Sequence, residues 1–299
     1  RYRTRIELSG RDSEAVLAAV GAWVAGLDPQ DPDYIHQLLE AMWLTQQHNR
    51  IDVDLLKTLL VCDDHRARAA ATRSLCYVRD SVPETLELLE TQINDPHPRV
   101  RLEAIRSLSF IPSPEAAEIV LQSLNYPRDK FSNYCLQETM RVMEPIIRNH
   151  IASGQPLAAN NPAGLRYIMA DLSSAEISKL PRNRTVYEEL LTREGVLHEF
   201  RYEAAAGLAQ ENGTDVNQEL LSAIERVDQS DVPFAQSVLG DLTHVFLHGD
   251  GKGVHGNGPV IDFTKYRDQL DRLATKARRP ITRQVAYATL IAAEGSANR

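Results

Sequence analysis

Apolar residues in this chain recur at helical spacing along most of its length. The clearest instance is Arg68-x-x-Ala71-x-x-x-Leu75. It returns 33 positions later as Arg101-x-x-Ala104-x-x-x-Leu108, where Arg106-Ser107 also repeats Arg73-Ser74. The spacing recurs as Arg201-x-x-Ala204-x-x-x-Leu208 and Arg283-x-x-Ala286-x-x-x-Leu290. A weakened copy lies 32 positions after the second, with Asn133, Leu136 and Met140 in the three places. Positions zero, three and seven fall on one face of an α-helix. The Ala lets a neighbouring helix approach, and the Leu fills the space between layers. The Arg can lay its stem on that face and hold its head at the inter-repeat edge. Asp63-Asp64 and Asp95-Pro96 stand just ahead of two copies, where acidic residues and Pro favour a helix start.

A second helix is expected after each of the two clearest copies. Pro83–Asn94 places Leu86, Leu89 and Ile93 on one face, and Pro114–Asn125 does so with Ala117, Val120, Leu121 and Leu124. Each unit is then helix, turn, helix in about 33 to 40 residues, as in HEAT-like repeats. One such pair cannot bury its apolar face alone, so pairs must stack. Further helices are expected at Asp12–Leu27, Asp33–Gln46, Asp54–Cys62, Lys130–Ile151, Thr185–Thr192, Asn217–Val227, Pro233–Leu247, Phe263–Ala277 and Thr282–Glu294. Pro145 should kink or stop the Lys130–Ile151 helix.

The fold class expected is all-α, a HEAT/armadillo-like α-solenoid of antiparallel helix pairs. Residues 1–10 form an N-terminal extension, which the alternation of Arg1–Leu8 marks as a short strand. Residues 11–152 carry N-terminal repeats, 153–182 an irregular linker with a loop, and 183–299 C-terminal repeats. A Gly-rich loop at 249–259 interrupts the last of these. Such insertions often take part in binding, although flexible connectors look the same.

Charge narrows the partners. The formal charge is −8, which disfavours a phosphate backbone unless a basic face is segregated. No apolar run approaches the roughly 20 residues that a membrane helix needs. The chain starts Arg1-Tyr2-Arg3-Thr4-Arg5, without Met or an apolar stretch behind it, so no signal peptide is read there. A processed chain or a piece of a longer one is expected. Cys62, Cys76 and Cys135 form no Cys-x-x-Cys and read as small buried hydrophobes.

Catalytic signals are weak. Gly251-x-Gly253-x-x-Gly256 matches the dinucleotide fingerprint by letter, but Asn257-Gly258-Pro259 follows where a helix must begin. His244 and His248 are four apart, with Asp241 and His255 nearby, a spacing that can turn two imidazoles toward a metal. No Glu follows His244, so the zinc-protease motif fails. The single His198-Glu199 pair cannot supply the di-iron site of deoxyhypusine hydroxylase, a HEAT-repeat metalloenzyme. No Gly-x-Ser-x-Gly elbow occurs. Arg66, Arg68, Arg73, Arg99, Arg101 and Arg106 make a local basic ladder, of the kind HEAT-like DNA glycosylases use. Glu84, Glu87, Glu90 and Glu103 lie close to it. Interaction-surface candidates are therefore Arg66, Arg68, Arg99, Arg101, Lys252 and His255. No catalytic or cofactor-binding residue is assigned, and His244, His248 and His255 stay as weak metal candidates.

Several stretches carry a more specific resemblance. They are Tyr34–Asn49 (Y-I-H-Q-L-L-E-A-M-W-L-T-Q-Q-H-N), His65–Asp80 (H-R-A-R-A-A-A-T-R-S-L-C-Y-V-R-D), Asn94–Ser107 (N-D-P-H-P-R-V-R-L-E-A-I-R-S), Leu157–Leu165 and Arg279–Tyr287. Together they resemble the HEAT-repeat region of large bacterial membrane-bound dehydrogenases with a PVC-type haem-binding cytochrome c. That resemblance implies a rigid spacer docking redox domains or a redox partner, in the periplasm or another extracytoplasmic compartment. A cytoplasmic location stays open. Neither a propeller nor Cys-x-x-Cys-His is present, so no redox residue is carried over. The expected function is a non-catalytic scaffold without a cofactor or membrane-inserted segment, facing a protein partner. The alternative is a HEAT-fold enzyme or a glycosylase-like nucleic-acid binder.

Overall fold

The computed structural model describes residues 2–249 and 262–294. Every regular element there is helical, and no strand occurs among the described residues. The chain divides into two compact units, Arg1–His150 and Ile151–Arg299.

Unit 1 contains α1 (Tyr2–Ser9), α2 (Ser13–Ala25), α3 (Tyr34–Gln47), α4 (Val53–Leu60), α5 (His65–Val78), α6 (Thr85–Ile93), α7 (Pro98–Leu108), α8 (Pro114–Gln122) and most of α9 (Lys130–Ala152). Helices α3, α5 and α7 stack in series, with α4, α6 and α8 paired behind them. Two equivalent bonds lock the row. Ser107 Oγ donates to the Thr72 carbonyl, and Thr139 Oγ1 donates to the Ile105 carbonyl, each at 3.3 Å. Small residues allow this close approach. Ala71, Leu75, Ala104 and Leu108 are fully buried, and Leu136 and Met140 nearly so, so the repeated face is the core.

The repeat arginines brace the turns. Arg68 Nη1 donates to the carbonyls of Cys62 and Asp63, and Arg101 Nη1 to those of Asp95 and Pro96. Arg283 Nη1 does the same to Ala277 and Arg278. In all three the acceptors lie six and five residues back, at the end of the preceding helix or turn. Adjacent repeats are also cross-tied. Asp95 accepts from Arg68 Nε at 2.6 Å and Nη2 at 3.0 Å, while its own carbonyl serves Arg101. Asp95 therefore does not cap α7. It accepts from the His97 amide, and His97 is the N-cap. Where the copy weakens to Asn133, the bond reverses, and Arg128 Nε donates to Asn133 Oδ1.

Unit 2 contains α10 (Pro162–Ala170), α11 (Ser174–Ile177), α12 (Arg184–Thr192), α13 (His198–Asn212), α14 (Val216–Gln229), α15 (Ala235–His248), α16 (Arg267–Lys276) and α17 (Pro280–Glu294). Helices α13, α15 and α17 form one row, and α12 and α14 pack behind it. Arg201, on α13, is completely buried. It donates to the carbonyls of Leu190, Leu191 and Arg193 and to Asp241 Oδ2 at 3.0 Å. Burial pushes its guanidinium below the ordinary value, and Asp241 opposes that shift. Both units thus have the all-α, stacked-pair architecture of a HEAT-like α-solenoid.

Three expectations need correction. Tyr2–Ser9 is a helix; no strand among the described residues is there to satisfy a β backbone, whereas a helix satisfies its own. The segment 153–182 is not an irregular linker throughout. Asn161 caps α10, Ser173 and Glu176 form a capping box on α11, and Leu165, Ile168, Met169 and Ile177 are buried. The long helix expected at Lys130–Ile151 is present as α9, which runs through Pro145 to Ala152, so the proline does not act as a stop. The cysteines divide. Cys76 is buried, whereas Cys62 and Cys135 are half-buried free thiols that burial holds above the usual range.

Two stability tests follow from this packing. Arg201→Ala leaves Asp241 and three carbonyls without their donor, and should cost about 3–5 kcal/mol in chemical denaturation. A loss under about 1 kcal/mol would mean that the anchor is decorative. Gly207 lies on α13 beneath the Tyr187 ring, and a Cβ there would overlap the ring. Gly207→Ala should therefore destabilise, despite the roughly 1 kcal/mol that Ala ordinarily gains over Gly in a helix. Adding Tyr187→Ala should recover part of that loss in a double-mutant cycle.

Candidate functional site

The repeat register places four sets of residues on the open side of α5, α7 and α9. Arg66, Arg99 and Phe131 are equivalent, as are Ala69, Leu102 and Tyr134. Further along lie Arg73, Arg106 and Glu138, then Tyr77, Phe110 and Val142. The side chains of Arg66 and Arg99 are 80% and 60% exposed. Phe131, Tyr134, Tyr77, Phe110 and Val142 are exposed too. Buried contacts therefore take one face of each helix and leave a second, register-matched face of arginines and aromatics in solvent. Arg106 links two aromatics of that face, lying 5.9 Å from the Tyr77 ring centroid and 5.6 Å from that of Phe110.

A groove of about 650 Å³ opens between α3, α5 and α7, bordered by Trp43, His65, His97, Arg66, Arg73 and Arg99. Glu103 is almost completely buried in its wall and takes Arg73 Nη2 at 2.8 Å and Nε at 3.1 Å. Arg99 Nε stands 3.5 Å from the same carboxylate. Asp64 caps α5 and chelates Arg66, whose hydrogen bonds hold that carboxyl down at about 2. His65 and His97 stack with centroids 3.6 Å apart. His97 Nδ1 accepts from the Arg99 amide, which requires a lone pair there. Burial, then the His65 charge, lowers the His97 pKa.

The expected surface residues separate cleanly. Arg66 and Arg99 border the groove. Arg68 and Arg101 do not belong to the surface, because their heads are spent on buried turns; Arg101 is only 8% exposed and also lies 4.7 Å from the Tyr126 ring centroid. Two positions along a helix turn the side chain through about 200°, so Arg66 and Arg68 diverge. Lys252, His255, the Gly251-x-Gly253-x-x-Gly256 motif and nearly all of the Gly-rich loop lie outside the described residues. Trp43, His65, His97 and the exposed aromatics were missed, although the 33-residue register that aligns the arginines also aligns Tyr77 with Phe110.

In unit 2, His244 and His248 do not aim nitrogens at a common point. Their rings stack at 4.5 Å, and His244 stacks on His198 at 4.4 Å. His198 Nε2 lies 3.6 Å from Asp241, the partner of Arg201. Face-to-face rings offer no shared coordination point, and no three-ligand metal cluster occurs among the described residues. Burial, then the charges of His198 and His248, lowers the His244 pKa. A second cleft, of about 840 Å³, lies along Ser173, Glu189, Arg193, Arg226 and Phe234. Its Arg193 is a brace, donating to Glu189 and to the carbonyls of Leu172 and Met169. Ser174 donates to the Glu194 carbonyl, and no His borders the cleft to activate a hydroxyl.

Residues 53–132 match the family model of HEAT repeats. The match runs from α4 to the start of α9 and includes the groove-bordering residues on α5 and α7. HEAT repeats are helical-repeat modules that commonly serve as scaffolds and interaction surfaces. No curated protein matches the chain. No described helix is long and apolar enough to cross a membrane.

The two histidine stacks give a pH prediction. His97 and His244 have folded pKa values below the ordinary 6.5. The unfolded chain then binds more protons near that pH, so their contribution is complete above about 6.5 and fades as pH falls toward the folded values. The Tm should drop between pH 7.5 and 5.5. In the double variant His97→Asn, His244→Asn, where Asn can still cap α7, the drop should shrink. An unchanged pH slope in that variant would refute the assignment.

Proposed function

We propose that this chain is a non-catalytic scaffold, whose arginine and aromatic face on α5, α7 and α9 docks other proteins. One observation carries the reading: the HEAT-matching segment leaves Arg66, Arg99, Tyr77, Phe110 and Phe131 in solvent on matched positions, with Tyr134 exposed just beyond it. Arg, Tyr and other aromatics are the side chains that anchor protein interfaces. Singly exposed apolar residues are ordinary, but a register-repeated series is a patch.

The resemblance to membrane-bound dehydrogenases with a cytochrome c supports a narrower reading. On it, the segment is a spacer within a larger redox protein, works outside the cytoplasm, and holds no redox cofactor itself. The nucleic-acid alternative loses support, because two arginines of the basic ladder are internal braces.

Photo-cross-linking in the source cells tests both levels. Benzoylphenylalanine at Phe110 or Tyr134 should yield links to propeller or Cys-x-x-Cys-His peptides of the same polypeptide. Links confined to unrelated proteins would reject the redox-spacer reading and retain the docking face. Recovery of no protein-protein link at either position would reject docking itself.

A further inference from the structure

The exposed face changes character from one helix to the next. Along the row nearest the helix N-termini it reads Arg66, Arg99, then Phe131, with Tyr134 one turn further along α9. Two rows deeper it reads Arg73, Arg106, then Glu138. On these rows positive charge is thus concentrated on α5 and α7 and gives way on α9 to exposed aromatic surface, where Lys130 Nζ lies 5.0 Å from the Phe131 ring centroid. Phe131 and Tyr134 are 62% and 66% exposed.

Charge within the groove is unequally committed. Asp64 holds Arg66 by its Nε and Nη2, and Glu103 holds Arg73 by its Nε and Nη2. Arg99 lies in ion-pair range of Glu103, yet its guanidinium makes no hydrogen bond among the described residues. Three guanidiniums face two carboxylates, leaving one positive charge in excess beside two imidazoles. The chain as a whole carries −8, so this is a local reversal of sign.

We propose that this groove and the exposed start of α9 beside it take an extended acidic segment of a partner protein, with a carboxylate on Arg99, another near Arg66, and an apolar side chain against Phe131 and Tyr134. The proposal rests on the docking role above and adds the chemistry of what docks. Packed helices stand about 8–10 Å apart, and an extended chain advances about 3.3 Å per residue. Crossing one helix therefore takes about three residues, and the fitting pattern is acidic-x-x-acidic-x-x-apolar. A carboxylate binds Arg in a bidentate fork, a geometry that Asp64 and Glu103 already give Arg66 and Arg73 and that Arg99, 3.5 Å from Glu103, does not make with it. Nucleic acid fits less well. Its phosphates repeat evenly, whereas the arginine row ends after two helices at Phe131, with Glu103 in the groove wall and Glu138 beyond.

The test uses the full chain and a fluorescent Asp-Ser-Gly-Asp-Ser-Gly-Phe peptide, read by anisotropy at low salt. Saturable binding is expected. Arg99→Glu should weaken it about tenfold, as loss and reversal of a close charge pair does. Phe131→Ala should weaken it several-fold, as loss of an aromatic anchor does. Both sites are exposed, and unchanged circular dichroism melts would exclude misfolding. Replacing the second Asp of the peptide by Lys should restore affinity to Arg99→Glu. A scrambled peptide of equal affinity would overturn the register. Tighter binding of oligothymidylate than of the peptide, with the same dependence on Arg99, would overturn the peptide in favour of nucleic acid. Failures separate cleanly. Protein cross-links without peptide binding reject only the acidic partner, and peptide binding without cross-links rejects only the cellular docking role.

Discussion

The structure depends on arginine heads held among carbonyls that no helix can satisfy. Each helix ends with backbone acceptors that lack an internal donor. In stacked helix pairs those ends turn inward, away from water, where a missing partner costs more than a made bond returns. Arg68, Arg101, Arg201 and Arg283 supply forked, permanently charged donors at these turns. Lys would place one ammonium there without the planar fork. The apolar Ala and Leu faces drive the stacking, but the turns can close only because these donors reach them.

This constraint also divides the arginines by role. A basic ladder read along the sequence looks like one surface, yet the helix sends Arg68 and Arg101 inward and the other members to the open side. Arg68 and Arg101 tie one repeat to the next through Asp95, while Arg66 and Arg99 remain at the groove. The internal set fixes the spacing of the external set. Surface chemistry on α5, α7 and α9 is therefore presented at intervals determined by core packing, which is how a repeat stack can offer a recognition surface without a catalytic pocket.

The histidines follow the same logic at smaller scale. His65 with His97, and His198 with His244, stack between neighbouring elements, and His248 extends the second stack along α15. Neutral rings pack well, and charged rings repel. Arg68 and Arg101 further disfavour protonation of His97, whereas Asp241 opposes the lowering at His244. Spacing of four along one helix made His244 and His248 look like metal ligands, but ligation needs convergent lone pairs, and stacking removes that convergence.

Helix positions, the pairing of helices and the identity of the core were legible in the chain itself, because Ala71, Leu75, Ala104 and Leu108 recur with the helical period and the repeat length. That pattern is local and survives without knowledge of neighbours. The character of Tyr2–Ser9 was not legible, since eight residues of mixed polarity fit either a strand or a helix until the presence or absence of a pairing edge is known. Nor was the fate of each arginine, the Trp43 groove, or the meeting of His198 with His244. Those depend on which residues 27 to 46 positions apart are brought within bonding distance, and only the stacking of helix on helix decides that.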